Sequence, residues 1–225
     1  MSYVVIKQRQ KSKKKFFNFT LWLVGINVVA YLAMIILMNT LGESVFYEIA
    51  LQPNAILQGQ KLWTIFTSMF MHDPSLFSFH LFANMMSLVF LGGFIERIIG
   101  SKRFLALYLI SGIIAALFFV SLAFAFGDNL LIPAVGASGA IFGIAGLAAV
   151  LVPKMKVYIL FIPIPMPMWF AIIFILIIMW LASSAFGLSI ANTAHLGGFL
   201  TGFFYGFYLR HKYKRQTMMI SSHFR

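Results

Sequence analysis

The chain has no cysteine. That excludes a disulfide framework, a thiolate metal site and a cysteine nucleophile. Carboxylates are also scarce: five Asp and Glu among 225 residues. Charged residues of both signs make up only 10% of the chain, against 61% hydrophobic residues. The mean hydropathy is +0.94. A soluble domain needs a charged surface that this composition does not supply. The sequence holds no H-E-x-x-H segment, so the helical zinc-hydrolase pattern is missing. Neither a metal nor a cofactor is expected.

What is there is apolar sequence in long runs. Several approach the ~20 residues that cross a bilayer. The expected fold class is all-α: a polytopic membrane protein with a bundle of six transmembrane helices. The first runs from Phe16 to about Met38. The second starts near Phe79, contains His80 and Asn84, and ends at Gly92–Arg97. The third covers about Phe104 to Phe126, the fourth Ala134 to Val152, the fifth Pro167 to Ser184, and the sixth Asn192 to Arg210. Residues 40–61 are mixed and read as a loop with amphipathic pieces. Residues 62–72 are apolar but too short to cross, so they read as a re-entrant or interfacial segment. Pro153, Pro163, Pro165 and Pro167 exclude a helix over most of 153–167, because each removes a donor and constrains the residue before it. The expected organisation is a basic tail over 1–15, a six-helix domain over 16–210 and a second basic tail over 211–225.

The net charge of +12 would suit nucleic acid, but its distribution argues for topology instead. Six spans put both termini on one side. Sixteen of the seventeen Lys and Arg then fall on that side. Lys61 alone lies opposite, together with Glu43, Glu48, Asp73 and Asp128. The positive-inside rule sets both termini in the cytoplasm. The lipid bilayer is the expected partner, and nucleic acid is not. The tail MSYVVIKQRQKSKKK reads as a positive anchor, since no small-residue cleavage site follows it.

The chemistry concentrates at two helix mouths. Val135-Gly136-Ala137-Ser138-Gly139 places a serine between glycines at the start of the fourth span. Ala194-His195-Leu196-Gly197-Gly198 places a histidine at the start of the sixth. Both spans enter from the outer side, so Ser138 and His195 share one depth. Serine and histidine are a nucleophile and the base that can activate it. His195, Gly202 and Gly206 lie within about 20° of one helical line, and Ser138, Ala145 and Ala149 align similarly. Small residues on facing lines let two backbones approach closely. His80 and Asn84, four apart, share a helix face and suit an oxyanion hole. The Ser138 N–H, at a helix start, is a further donor. Each residue alone also has a plain packing explanation: serine in a small-residue stripe, histidine or asparagine bonding a neighbouring helix. Their convergence at one depth gives the chemical reading its weight, because polar groups inside a membrane are costly. No acid completes a triad: Asp73 and Asp128 are loop residues and Glu96 lies at the cytoplasmic end. Gly127-Asp128 faintly suggests an aspartyl protease, but no second intramembrane Asp exists to pair with it.

These residues resemble the rhomboid family of intramembrane serine proteases. The resemblance runs from Leu62 to Gly206. It includes Trp63 and Thr67, the H-x-x-x-N of His80 and Asn84, and Leu91-Gly92-Gly93 with Glu96 and Gly100. It continues through G-x-S-G at Gly136–Gly139 and A-H-x-x-G-x-x-x-G at Ala194–Gly202. It implies Ser138 as nucleophile, His195 as general base and then acid, and His80, Asn84 and the Ser138 amide around the oxyanion. It implies that the segment before His80 is a membrane-embedded loop. It also implies that the fifth helix, with Trp169, Phe170, Phe174 and Trp180, borders the substrate entrance. Two positions depart from the pattern: Thr64 stands where many members have arginine, and Phe142 where many have tyrosine.

The expected function is intramembrane proteolysis in the cell membrane, with the site opening to the external side. Substrates would be single-pass transmembrane proteins cut near the outer leaflet. A catalytically silent relative that binds membrane clients is the alternative. A small-solute transporter fits less well, because few ionisable residues line the spans.

Overall fold

The computed structural model describes residues 18–75, 78–126, 130–159, 162–186 and 191–224. The basic tail over 1–15 and the Gly127-Asp128-Asn129 loop lie outside them. Within the described residues the chain is mostly helical. Helix α1 spans Phe19–Leu41, beginning at Asn18, whose side chain accepts from the Leu21 N–H at 3.3 Å. It ends where Gly42 takes φ +94°, a conformation glycine adopts without strain. The free N–H groups of its first turn are met by Glu96. That carboxylate is 1% exposed and accepts from the Phe19 and Thr20 N–H groups at 2.9 Å each and from the Thr20 hydroxyl at 2.6 Å. An anion at a helix N-terminus is favoured by both the unpaired donors and the dipole.

The connection after α1 holds short pieces: α2 (Ser44–Ile49), α3 (Pro53–Leu57), α4 (Thr64–Thr67) and one 3₁₀ turn over Ser68–Phe70. Polar side chains stitch it together. Lys61 pairs with Glu48 at 2.8 Å, the Trp63 indole donates to the Glu48 carbonyl at 2.8 Å, and the Thr67 hydroxyl donates to Ile49 O at 3.1 Å. Thr64, the residue in arginine's place, is fully buried and caps the turn by donating to Lys61 O. The Tyr31 hydroxyl reaches across from α1 to the Ser75 carbonyl.

A second long helix covers Phe79–Ile99. It comprises α5 (Phe79–Ser87), one wide π turn over Leu88–Gly92, and α6 (Gly93–Ile99). Helix α7 (Ser101–Phe126) follows after Gly100 at φ +84°. Helix α8 is Ser138–Leu151, shorter than the expected start at Ala134. The reason is pairing. Ala134 forms an antiparallel bridge with Leu51, and the Gly136 N–H donates to Ser68 O at 3.0 Å, so this stretch is extended. The proline-rich segment forms a hairpin, β1 (Lys156–Ile159) against β2 (Ile162–Pro167), a local departure from an all-helical fold. Prolines are tolerated there because a two-stranded ribbon is all edge. Helix α9 is Met168–Phe186 and α10 is Asn192–Lys212. The C-terminal stretch is not a plain tail: α11 (Lys214–His223) buries Thr217 and Ile220 against the bundle.

Among the described residues, four helices are long and apolar enough to cross a membrane: Phe19–Leu41, Phe79–Ile99, Ser101–Phe126 and Met168–Phe186. Their outward faces carry exposed Trp22, Val29, Phe90, Phe124 and Leu181, as apolar solvent permits. Helix α8 lies at the centre, with every residue buried except Ser138 and Ala149. It touches α10 backbone to backbone. A Cβ on Gly198 would overlap Gly139 O, and one on Gly202 would overlap Gly143 O. Gly206 faces Val150. Partners rise together along both helices, so α8 and α10 run parallel. The contact line on α8 is therefore Gly139–Gly143, beside Ser138 rather than through Ala145 and Ala149. The serine occupies the adjoining position, from which its side chain reaches across.

Gly202→Ala should therefore lower the thermal midpoint of the detergent-solubilised protein, because α8 and α10 must separate. The overpacking cost is ~1–3 kcal/mol. Gly25→Ala is the control: Gly25 is helical, exposed and has nothing within 4 Å of its Cβ position. It should be neutral or gain ~0.5–1 kcal/mol from helix propensity. Equal destabilisation by both would show that the contact is not what matters.

Candidate active site

Parallel packing brings the first turns of α8 and α10 to one end of the bundle. There the Ser138 hydroxyl and the His195 Nε2 are 2.7 Å apart. Ser138 is half-buried and His195 is 4% exposed. The hydroxyl can donate only to a neutral imidazole whose proton is on Nδ1. That Nδ1 is buried and has no hydrogen-bond partner among the described residues. Among the described residues no carboxylate orients the ring from behind. Glu96 is engaged with α1, and Asp73 accepts from the Ser75 N–H at 3.2 Å. Asp128 lies outside the described residues. The ring is instead held by stacking: Phe142, one turn below Ser138, lies 4.6 Å from His195 centroid to centroid, inclined by 27°.

His80, in the first turn of α5, lies on the same spot. The proof is Gly136. A Cβ built there would sit 2.7 Å from His80 Nε2 and 3.6 Å from the Ser138 hydroxyl. Gly136 also has φ +128°, which L side chains rarely adopt. Only glycine lets the backbone pass between imidazole and serine here. Asn84 is 6% exposed, and its Nδ2 donates to its own helix at His80 O, 2.8 Å. An amide carries two N–H donors, so this bond occupies one and leaves the second. Asn84 thus braces the turn that carries His80. The Ser138 N–H has no backbone acceptor among the described residues, as expected of a first helical residue.

Sequence reasoning gave no role to His72, which is fully buried with its ring 5.1 Å from that of His80. Neither of its nitrogens has a hydrogen-bond partner among the described residues. Burial first, and then the charge on His80, push its pKa down to about 3, so it is neutral over the working range. Pro74 stands between the two histidines, so no helical spacing connects them in the sequence. Gly136 was visible inside the serine motif, but its positive φ was not. Among the described residues no three His, Asp or Glu side chains come together to hold a metal ion. The chemistry this arrangement can perform is attack by an activated hydroxyl, next to donors that face developing negative charge.

Comparison with known proteins agrees with this geometry. The family model described as "Rhomboid domain" matches residues 59–212. The chain is 34% identical over 168 residues to "RHOMBOID-like protein 1" of Arabidopsis thaliana, covering 70% of this chain and 37% of that protein. It is 28% identical over 212 residues to "Rhomboid protease GluP" of Bacillus subtilis, covering 89% of this chain and 38% of that one. It is also 36% identical over 92 residues to "Inactive RHOMBOID-like protein 8" of Arabidopsis thaliana, covering 41% of this chain and 24% of that one. The matched part is well under half the length of each relative. With a family model covering more than half of the sequence, this apolar helical chain is a membrane protein that belongs to the rhomboid family.

Proposed function

We propose that the chain is an intramembrane serine endopeptidase working through a Ser138–His195 dyad. The observation that carries this reading is the 2.7 Å contact between hydroxyl and Nε2 at the shared mouth of α8 and α10. Ser138 attacks the scissile carbonyl while His195 Nε2 takes its proton. The resulting oxyanion is met by the Ser138 N–H, His80 and the remaining N–H of Asn84. His195 then returns the proton to the leaving amine, freeing one product and leaving an acyl-serine. A water molecule, deprotonated by the same imidazole, hydrolyses that ester. Among the described residues His195 has no carboxylate partner, and the Phe142 ring takes over the orienting role through stacking.

The rest of the reading follows from topology. Six crossings, with α8 and α10 added to the four long apolar helices, put both termini in the cytoplasm and the dyad toward the external side of the cell membrane. Substrates are single-pass membrane proteins cut near the outer leaflet, entering beside the exposed Trp169, Phe170 and Trp180 of α9. The basic tail over 1–15 and the basic C-terminal segment that carries α11 flank the catalytic unit. The inactive name carried by one relative sets up the competing reading, a silent client-binding protein.

The separating experiment is labelling by a fluorophosphonate probe, together with cleavage of a reconstituted single-pass substrate. The wild type should label and cleave. Ser138→Ala and His195→Ala should each abolish cleavage without loss of fold, and the double variant should be no worse than either, since members of a dyad act as a unit. An unlabelled but folded wild type would favour the silent reading. Additive losses would remove the dyad.

Gly136→Ala should keep the helical bundle but displace His80 and the serine loop. A misplacement of this size costs ~10²-fold in turnover. Turnover within about twofold of wild type, on the same scale of positional effects, would show that His80 does not need its close seat.

The pH profile of kcat/KM tests the base. His195 must be neutral to accept the proton, so activity should rise along one acid-side limb and then stay flat. His80 and His72 face the same volume, so the profile is compared in His80→Ala and His72→Phe. A limb that persists in both belongs to His195. A limb that disappears with either replacement takes the base assignment away from His195.

A further inference from the structure

At the end of the bundle opposite the dyad, α8, α10 and α11 line an open cavity of about 500 Å³. Arg210 enters it from the last turn of α10 and Arg215 from the first turn of α11. Neither guanidinium has a hydrogen bond or ion pair to another described residue. Nor can a nearby carboxylate serve, because the sequence contains no Asp or Glu after Asp128. Glu96 is engaged with the N-terminus of α1. Both arginines are exposed, and with no counter-anion for them among the described residues they can meet one from outside.

The lining says what kind of anion fits. Ser221 adds a hydroxyl with no hydrogen-bond partner among the described residues, whereas the Thr217 hydroxyl already donates to the backbone at Tyr213 O and Lys214 O. Met218 and Met219, 50% and 53% exposed, form the apolar rim. The depth is right for a headgroup. From Asn192 to Arg210 helix α10 climbs eighteen residues, ~27 Å at 1.5 Å each, close to the ~30 Å of a bilayer's hydrocarbon core. Helix α11 is amphipathic, with basic residues in its first turn and methionines beside them, as in helices that lie at a membrane interface.

We propose that this cavity binds the phosphodiester headgroup of an anionic phospholipid, with Arg210 and Arg215 on the phosphate, Ser221 donating to it, and the acyl chains running past Met218 and Met219. Guanidinium forks match phosphate oxygens in pairs. Basic pockets between membrane helices are known seats for anionic headgroups. The site shares no residue with the dyad, so it stands apart from the protease reading.

The test is thermal unfolding of the purified full chain in a neutral detergent, with phosphatidylglycerol, phosphatidylcholine or inorganic phosphate added. Phosphatidylglycerol should raise the midpoint saturably, and phosphatidylcholine should not. The double variant Arg210→Gln, Arg215→Gln should lose the shift, or need at least about tenfold more lipid, given the strength of bidentate arginine–phosphate bonds. Lys154→Gln with Lys156→Gln, an equal change in charge on the hairpin side, should keep it. Ser221→Phe fills the cavity without altering either charge and should also abolish the shift, which covers the case where the arginine variant fails to fold. An equal response to phosphatidylcholine, or an unchanged shift in Ser221→Phe, would overturn the site. A shift reproduced in full by inorganic phosphate would make it a free-anion site rather than a lipid site. No shift with any addition would leave the arginines as caps on the carbonyl ends of α8 and α10.

Discussion

The structure depends on how closely two backbones approach. In lipid, apolar side chains gain nothing from meeting one another, so helices associate through van der Waals contact and polar bonds. Here Gly139 and Gly143 face Gly198 and Gly202 with no side chain between them. That contact sets the spacing of α8 and α10, their parallel direction and their register. Given those three, the serine and histidine that open the two helices have little freedom left. Their 2.7 Å separation is a consequence of the glycine contact more than of the hydrogen bond itself. Ser111, packed against Gly143 from α7, wedges the same seam from a third side.

The sequence made much of this legible because glycine, serine and histidine at helix starts are unambiguous letters. Spacing by four and seven placed small residues on α10 correctly. It misplaced the seam on α8 by one residue, choosing Ala145 and Ala149 over Gly139 and Gly143. Helical spacing says which residues share a line, but not which line faces a neighbour. The late start of α8 was hidden for a different reason. Ala134 and Val135 are good apolar residues, and only the pairing of Ala134 with Leu51 and of Gly136 with Ser68, far away in sequence, holds the stretch extended. The hairpin and α11 were equally invisible, because proline excludes helix without naming its replacement, and a basic segment reads as solvated until its apolar face is seen to be covered. The sequence places Glu96 at the cytoplasmic end of its helix and says nothing of its partners. Its burial follows only from the arrival of the α1 N-terminus.

Scarcity of carboxylate shapes the molecule at both ends. Of the four described acids, Glu96 satisfies a helix N-terminus, Glu48 ties Lys61 into the connection after α1, Asp73 holds a local turn, and Glu43 is exposed at the start of α2. None remains to orient His195. The Phe142 stack is the alternative: a ring at 4.6 Å restricts the imidazole without placing a second charge in a low-dielectric site. It cannot stabilise imidazolium as a carboxylate would. In the proposed mechanism that task falls to the developing oxyanion.

Helix α9 is the exception to this tight construction, and lipid explains why it can be. Only 11% of its most apolar window is buried, against 22–44% for the other three long apolar helices. In water such a helix would be drawn onto the core by its own apolar faces. In a bilayer those faces are already solvated by acyl chains, so exposing them carries no penalty and creates no pull. Attachment must come from specific contacts, and those lie at the two ends. Met168 N–H donates to Met155 O at 2.8 Å, and the Asn192 amide donates to the Ser183 hydroxyl at 2.8 Å. Between them only Met168, Ala171 and Ile172 are buried. The α8–α10 seam therefore does not rely on α9. A displacement of α9 breaks end contacts and exchanges protein for lipid along its length, while the glycines that fix the serine and histidine stay in register.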